Sequence, residues 1–92
     1  MSSQLPTRDV TIRYFAWVRE KTGRAEERVT LPAEITTVQD LVRWQQSRGP
    51  EFAAAFARLD AIRVALDRVH VRADAKIGDA REIGFFPPVT GG

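Results

Sequence analysis

Apolar and polar residues alternate along several short stretches of this chain, a spacing that is typical of strands with one buried face. Residues 10–17 form the first such stretch, with one face made of Val10, Ile12, Tyr14 and Ala16 and the other of Thr11, Arg13, Phe15 and Trp17. Residues 19–23 break the alternation and residues 26–31 resume it, until Pro32 removes a backbone donor. The pattern therefore predicts a hairpin of two strands.

A helical spacing follows the second strand. Thr37 and Asp40 have the separation of a capping box, in which each side chain accepts a hydrogen bond from the other residue's backbone. The predicted helix covers residues 38–48, and one of its faces carries Val38, Leu41, Val42 and Gln45, with Trp44 at the border. Gly49 is expected to close the helix in the left-handed conformation, and Pro50 cannot continue it.

The second half of the chain predicts one more helix and three strands. A short helix is indicated by the apolar spacing of Phe52, Phe56 and Leu59 in an alanine-rich stretch. Strands are predicted around residues 62–66, 69–71 and 82–86, with a turn at Gly78 and Asp79 before the last one. The order ββααβββ favours an α+β domain over residues 10–86, with a flexible leader at residues 1–9 and an extended tail at residues 87–92.

The composition excludes several kinds of function. The chain has 92 residues, enough for one domain, and no cysteine, which rules out disulfides, thiolate metal sites and cysteine nucleophiles. Its formal charge of +2 comes without a cluster of lysine and arginine, which argues against nucleic-acid binding. No apolar run approaches the ~20 residues of a membrane span, and the first residues lack the apolar centre of a signal peptide, so a cytoplasmic location is expected.

Residues 85–92 differ in character from the strands before them. Pro87 and Pro88 restrict the backbone, so the tail beyond Phe86 is predicted to be stiff and extended. Gly91 and Gly92 fit a channel too narrow for other residues and present a terminal carboxylate at its end. Activation of that carboxylate as an acyl-adenylate, followed by attack of sulfide or a persulfide, would leave a thiocarboxylate. The plainer interpretation is a frayed terminus without chemistry.

The motifs around this tail resemble those of a known family. The run Phe85-Phe86-Pro87-Pro88-Val89-Thr90-Gly91-Gly92 is similar at every position to the C-terminal signature of the small subunit of molybdopterin synthase, a ubiquitin-like β-grasp sulfur carrier. Weaker similarity extends over residues 10–92 and includes Tyr14-Phe15-Ala16, Arg19-Glu20, Gly23, and Thr37-Val38 with Leu41. The resemblance implies a β-grasp fold, in which a mixed sheet of four to five strands carries one main helix across one face and a second short helix.

The resemblance also implies a role as a co-substrate and not as an enzyme on its own. An adenylyltransferase of the ubiquitin-activating type would use ATP to adenylate Gly92, and a sulfurtransferase system would supply the sulfur. The large subunit of molybdopterin synthase would receive the tail, including Pro87, Pro88, Val89, Thr90 and Gly91. There the Gly92 thiocarboxylate gives its sulfur to cyclic pyranopterin monophosphate. The family typically forms a heterotetramer, and the resemblance implies neither a bound cofactor nor a metal for the carrier.

Aromatic residues outside the tail are candidate docking residues. Phe15 and Trp17 would share one strand face, and Phe86 would anchor the root of the tail, because aromatic residues are enriched in interface cores. Packing within the domain is the alternative for all three. The single histidine, His70, has no acid or nucleophile beside it in the sequence, so a surface or strand position is expected for it.

The sequence departs from the family pattern at two turns. Asp67 stands where the family frequently has Asn, and residues 79–82, Asp-Ala-Arg-Glu, stand where it commonly has Asp-Gly-Asp-Glu. Ala80 argues against a left-handed backbone at the second turn. Arg81 reverses a charge that could face a partner.

Three other functions fit part of the pattern. One is a sulfur carrier for another pathway, such as thiamine biosynthesis, and a second is a protein modifier conjugated through Gly92 to a lysine. The third is an interaction module with inert glycines. The Phe-Phe-Pro-Pro run favours the molybdopterin branch. The product of activation, a free thiocarboxylate or an amide conjugate, distinguishes the carrier from the modifier.

Overall fold

Five β-strands and three α-helices form residues 7–88, which are the residues described by the structure, a computed structural model. The strands are β1 (Arg8–Tyr14), β2 (Glu26–Leu31), β3 (Arg63–Leu66), β4 (Val69–Val71) and β5 (Glu82–Phe86). The helices are α1 (Ala16–Thr22), α2 (Val38–Gln46) and α3 (Pro50–Ala55), and a 3₁₀ turn spans Leu59–Ala61. All five predicted strands are confirmed, although β1 begins at Arg8 and not at Val10. The sequence pattern missed α1.

The strands form one mixed sheet in the order β2-β1-β5-β3-β4. β1 and β5 are parallel neighbours, with Tyr14 opposite Phe85, and the other pairs are antiparallel. β5 is therefore central although it comes last among these strands. Since parallel neighbours end at the same edge, the chain leaves β5 beside the end of β1, where Phe15 follows Tyr14.

One face of the sheet and the helices enclose the hydrophobic core. The predicted inward face of β1 is confirmed, because Val10, Ile12 and Tyr14 are each at most 2% exposed. Four aromatic rings form the centre of this core: those of Tyr14, Phe52, Phe56 and Phe85. The Phe85 ring stacks on Tyr14 at 6.1 Å between centroids and meets Phe56 edge-on at 4.9 Å. Burying a large apolar side chain stabilises the fold by about 1.5–3 kcal/mol, so this cluster holds β1, α3 and β5 together.

The prediction of a strand through Trp17 is wrong, because the chain turns after Tyr14. Ala16 has a φ of 54° and starts α1, and Gly23, with a φ of 77°, closes that helix. Val18 and Thr22, one helical turn apart, are both buried. Trp17 thus packs against the core from a helix and does not share a strand face with Phe15.

The capping box predicted for the main helix is confirmed. Thr37 Oγ1 accepts from the Asp40 backbone N–H at 3.1 Å, and Asp40 Oδ2 accepts from the Thr37 N–H at 3.0 Å. The predicted role of Gly49 is wrong, because Ser47 caps the end of α2 and Gly49 precedes α3 instead. Pro50 then occupies the first turn of α3, where its missing N–H costs no helical hydrogen bond.

Candidate functional site

The predicted acyl donor lies outside the described residues. The described residues end at Pro88 and do not include Val89, Thr90, Gly91 or Gly92. The structure therefore describes the root of the tail, where it leaves β5. Pro87 and Pro88 follow β5 and are half-buried. What the fold determines is the position from which the tail starts and the surface beside it.

The root of the tail is fixed by the central strand. Phe85 is fully buried, its carbonyl accepts a hydrogen bond from the Phe15 N–H at 3.0 Å, and Phe86 pairs in register with Arg63 of β3. Strands on both sides therefore hold the backbone up to Phe86. The tail starts from the middle of the sheet edge, and its direction there is set by the core.

The start of β5 is fixed by a turn that departs from the family pattern. Asp67 and Arg68, with φ values of 50° and 72°, form the two-residue turn between β3 and β4. The Asp67 carboxylate accepts hydrogen bonds from the backbone N–H groups of Arg81 and Glu82, both at 3.0 Å. A carboxylate thus joins two turns that are far apart in sequence and holds the first residue of β5 in place.

Ala80 fits its turn without backbone strain. The left-handed residue there is Gly78, with a φ of 59°, and Ala80 has no positive φ. The side chain of Ala80 is buried in the core cluster. The sequence change at this turn therefore leaves the path of the backbone into β5 intact.

Two aromatic rings and an imidazole lie on the face of the sheet opposite the core. His70 of β4 lies against Phe86, with 4.9 Å between ring centroids. Phe15 is 42% exposed, and its Cε2 would lie 3.4 Å from a Cβ built on Gly84. Ala65, paired with both His70 and Gly84, completes the floor. We call this surface, formed by Phe15, Phe86 and His70 over Gly84 and Ala65, the outer-sheet patch.

Charged side chains surround the outer-sheet patch. The Arg13 guanidinium lies 5.7 Å from the centre of the Phe15 ring and forms ion pairs of 3.6 Å with Glu26 and Glu82. Arg63 is exposed opposite Phe86. Ion pairs this exposed contribute about 0–1 kcal/mol each, so these groups are available to a partner at little cost to the fold.

The structure thus brings together part of the predicted docking set. Phe15 and Phe86 share the outer-sheet patch, whereas Trp17 packs against the core on α1. His70 was expected on the surface or in a strand, and its contact with the predicted anchor Phe86 was missed. The signal for that contact is the pairing of β4 with β3, which no local sequence pattern specifies.

A concave surface on the core side has a mostly apolar lining. A cavity of about 260 Å³ lies between α2 and the strands β3 and β4, and its lining is apolar apart from Arg63 and Arg72. Within residues 7–88, no three histidine, cysteine, aspartate or glutamate side chains are grouped closely enough to hold a metal ion. In the same part of the chain, no helix has the length and apolarity needed to cross a membrane.

Comparison with known sequences assigns this chain to a family. The model of the ThiS family matches residues 12–92. The molybdopterin synthase sulfur carrier subunit of Escherichia coli is 31% identical over 83 residues, which cover 90% of this chain and 99% of the relative.

Solved structures share the fold. The putative molybdopterin converting factor subunit 1 of Pyrococcus furiosus is 26% identical, with a TM-score of 0.62 over 88% of this chain and 98% of its own. SAMP1 of Haloferax volcanii is 22% identical, with a TM-score of 0.69 over 92% of this chain and 100% of its own. The second likeness bears on the fold alone. The predicted ubiquitin-like β-grasp architecture is confirmed.

Proposed function

This chain belongs to the ThiS family and is a homologue of a molybdopterin synthase sulfur carrier subunit, and from that premise we propose that it carries sulfur for molybdenum cofactor biosynthesis. The observation that carries the proposal is the course of β5, which leads from the centre of the sheet directly into the tail. The buried Phe85 anchors the end of β5 in the core, and the rest of the predicted signature continues from it.

The proposed chemistry takes place at Gly92. Its carboxylate oxygen attacks the α-phosphate of ATP on an adenylyltransferase of the ubiquitin-activating type, and pyrophosphate leaves. Hydrosulfide, delivered by a sulfurtransferase system, then attacks the acyl carbon, and AMP leaves with the bonding electron pair. The product is a C-terminal thiocarboxylate, and the proton of the hydrosulfide passes to solvent. ATP is a substrate of the activating enzyme, and the carrier needs no bound cofactor.

The proposed acceptor is cyclic pyranopterin monophosphate on the large subunit of molybdopterin synthase. Val89 and Thr90 of the inserted tail contact the large subunit, and the absence of side chains at Gly91 and Gly92 lets the thiocarboxylate reach the substrate. The relative in E. coli is a sulfur carrier subunit of molybdopterin synthase, which supports a large-subunit partner. The proposed assembly is a heterotetramer with a carrier at each end.

The outer-sheet patch is the proposed docking surface for the large subunit. Phe86 belongs to the patch and directly precedes the prolines of the tail, so a partner that encloses the tail must also cover Phe86. Phe15 adds an exposed aromatic ring over Gly84 on the same face of the sheet. Trp17 supports this surface only indirectly, through the packing of α1 against the core.

Intact-mass measurement tests the proposal. The full chain is incubated with the adenylyltransferase, ATP and a sulfide donor, and we expect a mass gain equal to the exchange of one oxygen for sulfur. Two variants serve as controls, a chain lacking Gly92 and Gly91→Trp. The first has no acyl group at the required position, and in the second the bulky indole next to Gly92 blocks entry of the terminus into the active site of the adenylyltransferase, so neither should gain mass.

Both control variants should melt at the temperature of the parent chain, because the substituted residues lie beyond β5. Unchanged mass of the parent chain after complete incubation would reject the carrier function. A full mass gain of Gly91→Trp would reject the steric argument at Gly91 while leaving the carrier chemistry in place.

The same fold and tail chemistry suit two alternatives. In a protein modifier, a lysine amine displaces AMP and forms an amide with Gly92, and in another biosynthetic branch a different acceptor takes the sulfur. The likeness to SAMP1 concerns the fold and does not select the modifier. Conjugates of the chain with other proteins in place of the free thiocarboxylate would favour the modifier.

A further inference from the structure

The only histidine of the chain lies on the proposed docking surface. His70 is exposed on the edge strand β4, pairs with Ala65 across the strand, and has its ring 4.9 Å from that of Phe86. Histidine is the side chain whose charge changes most readily near neutral pH. Any partner that covers Phe86 at the root of the tail therefore also meets a titratable ring.

The charged residues that adjoin His70 along β3, β4 and the turn between them are mainly arginines. Arg63 of β3 pairs with Phe86 in the sheet, and its guanidinium donates to the carbonyls of Asp60 and Ile62. Arg72 directly follows β4, and Arg68 occupies the turn between β3 and β4. From β5, the Glu82 carboxylate lies 3.9 Å from Arg68 and 3.6 Å from Arg13 of β1.

The nearby carboxylates are already engaged. Glu82 pairs with the two arginines, and the carboxylate of Asp67 accepts from two backbone N–H groups. Within residues 7–88, His70 takes part in no ion pair. A proton on the imidazole would thus add a positive charge beside an aromatic ring and among arginines. Covering that charge with an apolar partner surface removes its hydration, which is unfavourable.

We propose that His70 makes docking of the tail-receiving large subunit depend on pH: the neutral imidazole packs with Phe86 beneath the partner, and protonation weakens the complex. The inference rests on the proposed function, since it takes the large subunit as the occupant of the outer-sheet patch. Continuity supports that occupant, because Phe86 is both a patch residue and the last residue before the prolines.

The test measures the affinity of the full chain for the synthase large subunit between pH 8 and pH 5.5. We compare the parent chain with His70→Gln, which keeps a polar side chain of similar reach but does not titrate in this range. Titrating groups of the large subunit affect both proteins equally and cancel in the ratio. From pH 8 to pH 5.5 we expect the parent to lose about tenfold more affinity than the variant, the order for a partly desolvated imidazolium.

A second variant controls for the presence of a histidine as such. His70→Gln combined with Arg43→His moves the single histidine to an exposed position on α2. Its pH profile should match that of His70→Gln alone. Thermal melting of each variant at pH 8 checks the fold, and His70→Asn replaces His70→Gln if the latter is unstable.

The possible results distinguish failure of the pH dependence from failure of the proposed carrier function. Equal pH profiles for the parent and His70→Gln would overturn the inference and leave the carrier function standing. Tighter binding of the parent at low pH would overturn it as well, because the partner would then offer His70 a carboxylate. No binding at any pH would reject the large-subunit partner and the inference together.

Discussion

The carboxylate of Glu27 joins three elements through a half-buried polar network. It accepts a hydrogen bond of 2.6 Å from the Tyr14 hydroxyl and two from the Arg48 guanidinium, at 2.6 and 2.9 Å. Gln45 donates to the same tyrosine at 2.8 Å, and Arg48 lies 4.2 Å from the centre of the Phe52 ring. Burial and the bond to Glu27 raise the pKa of Tyr14, so its hydroxyl remains a donor at neutral pH.

Glu27 should make the stability of the fold sensitive to acid. Burial alone would raise the pKa of Glu27, but its hydrogen bonds with Arg48 and Tyr14 outweigh that effect and lower it. A carboxyl group whose pKa is lowered by folding stabilises the fold above its unfolded pKa, and the contribution disappears as the pH falls through the folded pKa. We expect Glu27→Gln to cost about 1–3 kcal/mol at pH 7 and progressively less in acid.

Urea unfolding of the parent and Glu27→Gln at several pH values between 7 and 3 measures this difference. Hydrogen bonds from Thr37 and Thr36 lower the pKa of Asp40, and the bond from Arg58 lowers that of Asp60, but both groups are common to the two proteins. Their contributions therefore cancel in the difference. A stability gap that stays constant down to pH 3 would mean that the charge of Glu27 does not matter.

Among the elements, the turn between β3 and β4 positions the strand that carries the tail. Asp67→Ala removes two hydrogen bonds to the start of β5 and places alanine at a positive φ, so we expect a loss of about 1–2 kcal/mol. Asp67→Asn keeps an acceptor and tolerates that backbone, and it should cost less.

Chemical denaturation of these variants and of Asp79→Ala tests the role of the turn. Asp79 is an exposed acidic residue close in sequence to the same strand, and it serves as the matched control. Equal stability of Asp67→Ala and Asp79→Ala would show that the two hydrogen bonds do not hold β5.

The elements also show how far local sequence patterns reach. Alternation found the five strands, and the pair Thr37 and Asp40 found the start of α2, because these signals lie within a few residues. α1 was missed because it has only seven residues and begins at Ala16. Ala16 has a φ of 54°, and an alanine in the sequence does not indicate a positive φ. The signature of the tail predicts Gly92 as the acyl donor, and this stays a prediction because Gly92 lies outside the described residues. The contact of His70 with Phe86 depends on strand pairing across the sheet, which no local pattern shows.

For the whole molecule, the core and the proposed docking surface lie on opposite faces of the sheet. Mutations on the docking surface should therefore weaken binding to the large subunit much more than they weaken the fold. Phe15 is 42% exposed, so Phe15→Ala should lower the free energy of unfolding by only about 1 kcal/mol. Removal of an aromatic ring from the middle of an interface commonly costs 1 kcal/mol or more, so we expect at least about fivefold weaker binding to the large subunit.

Titration of the large subunit with Phe15→Ala, followed by calorimetry, measures this loss. Val69→Ala is the matched control, because Val69 is the other large apolar residue that is strongly exposed among residues 7–88, at 63%, and it is not part of the outer-sheet patch. Equal affinities of the two variants would move the docking surface away from Phe15.

The central position of β5 has a consequence for biosynthesis of the protein. β1–β2 and β3–β4 are each paired within earlier parts of the chain, but the two pairs meet only through β5. A nascent chain that stops before residue 82 would therefore expose two open strand edges, which are prone to aggregation. The sheet closes only when the strand next to the tail has been made, so a chain that stops before β5 cannot persist as a folded competitor for the partner.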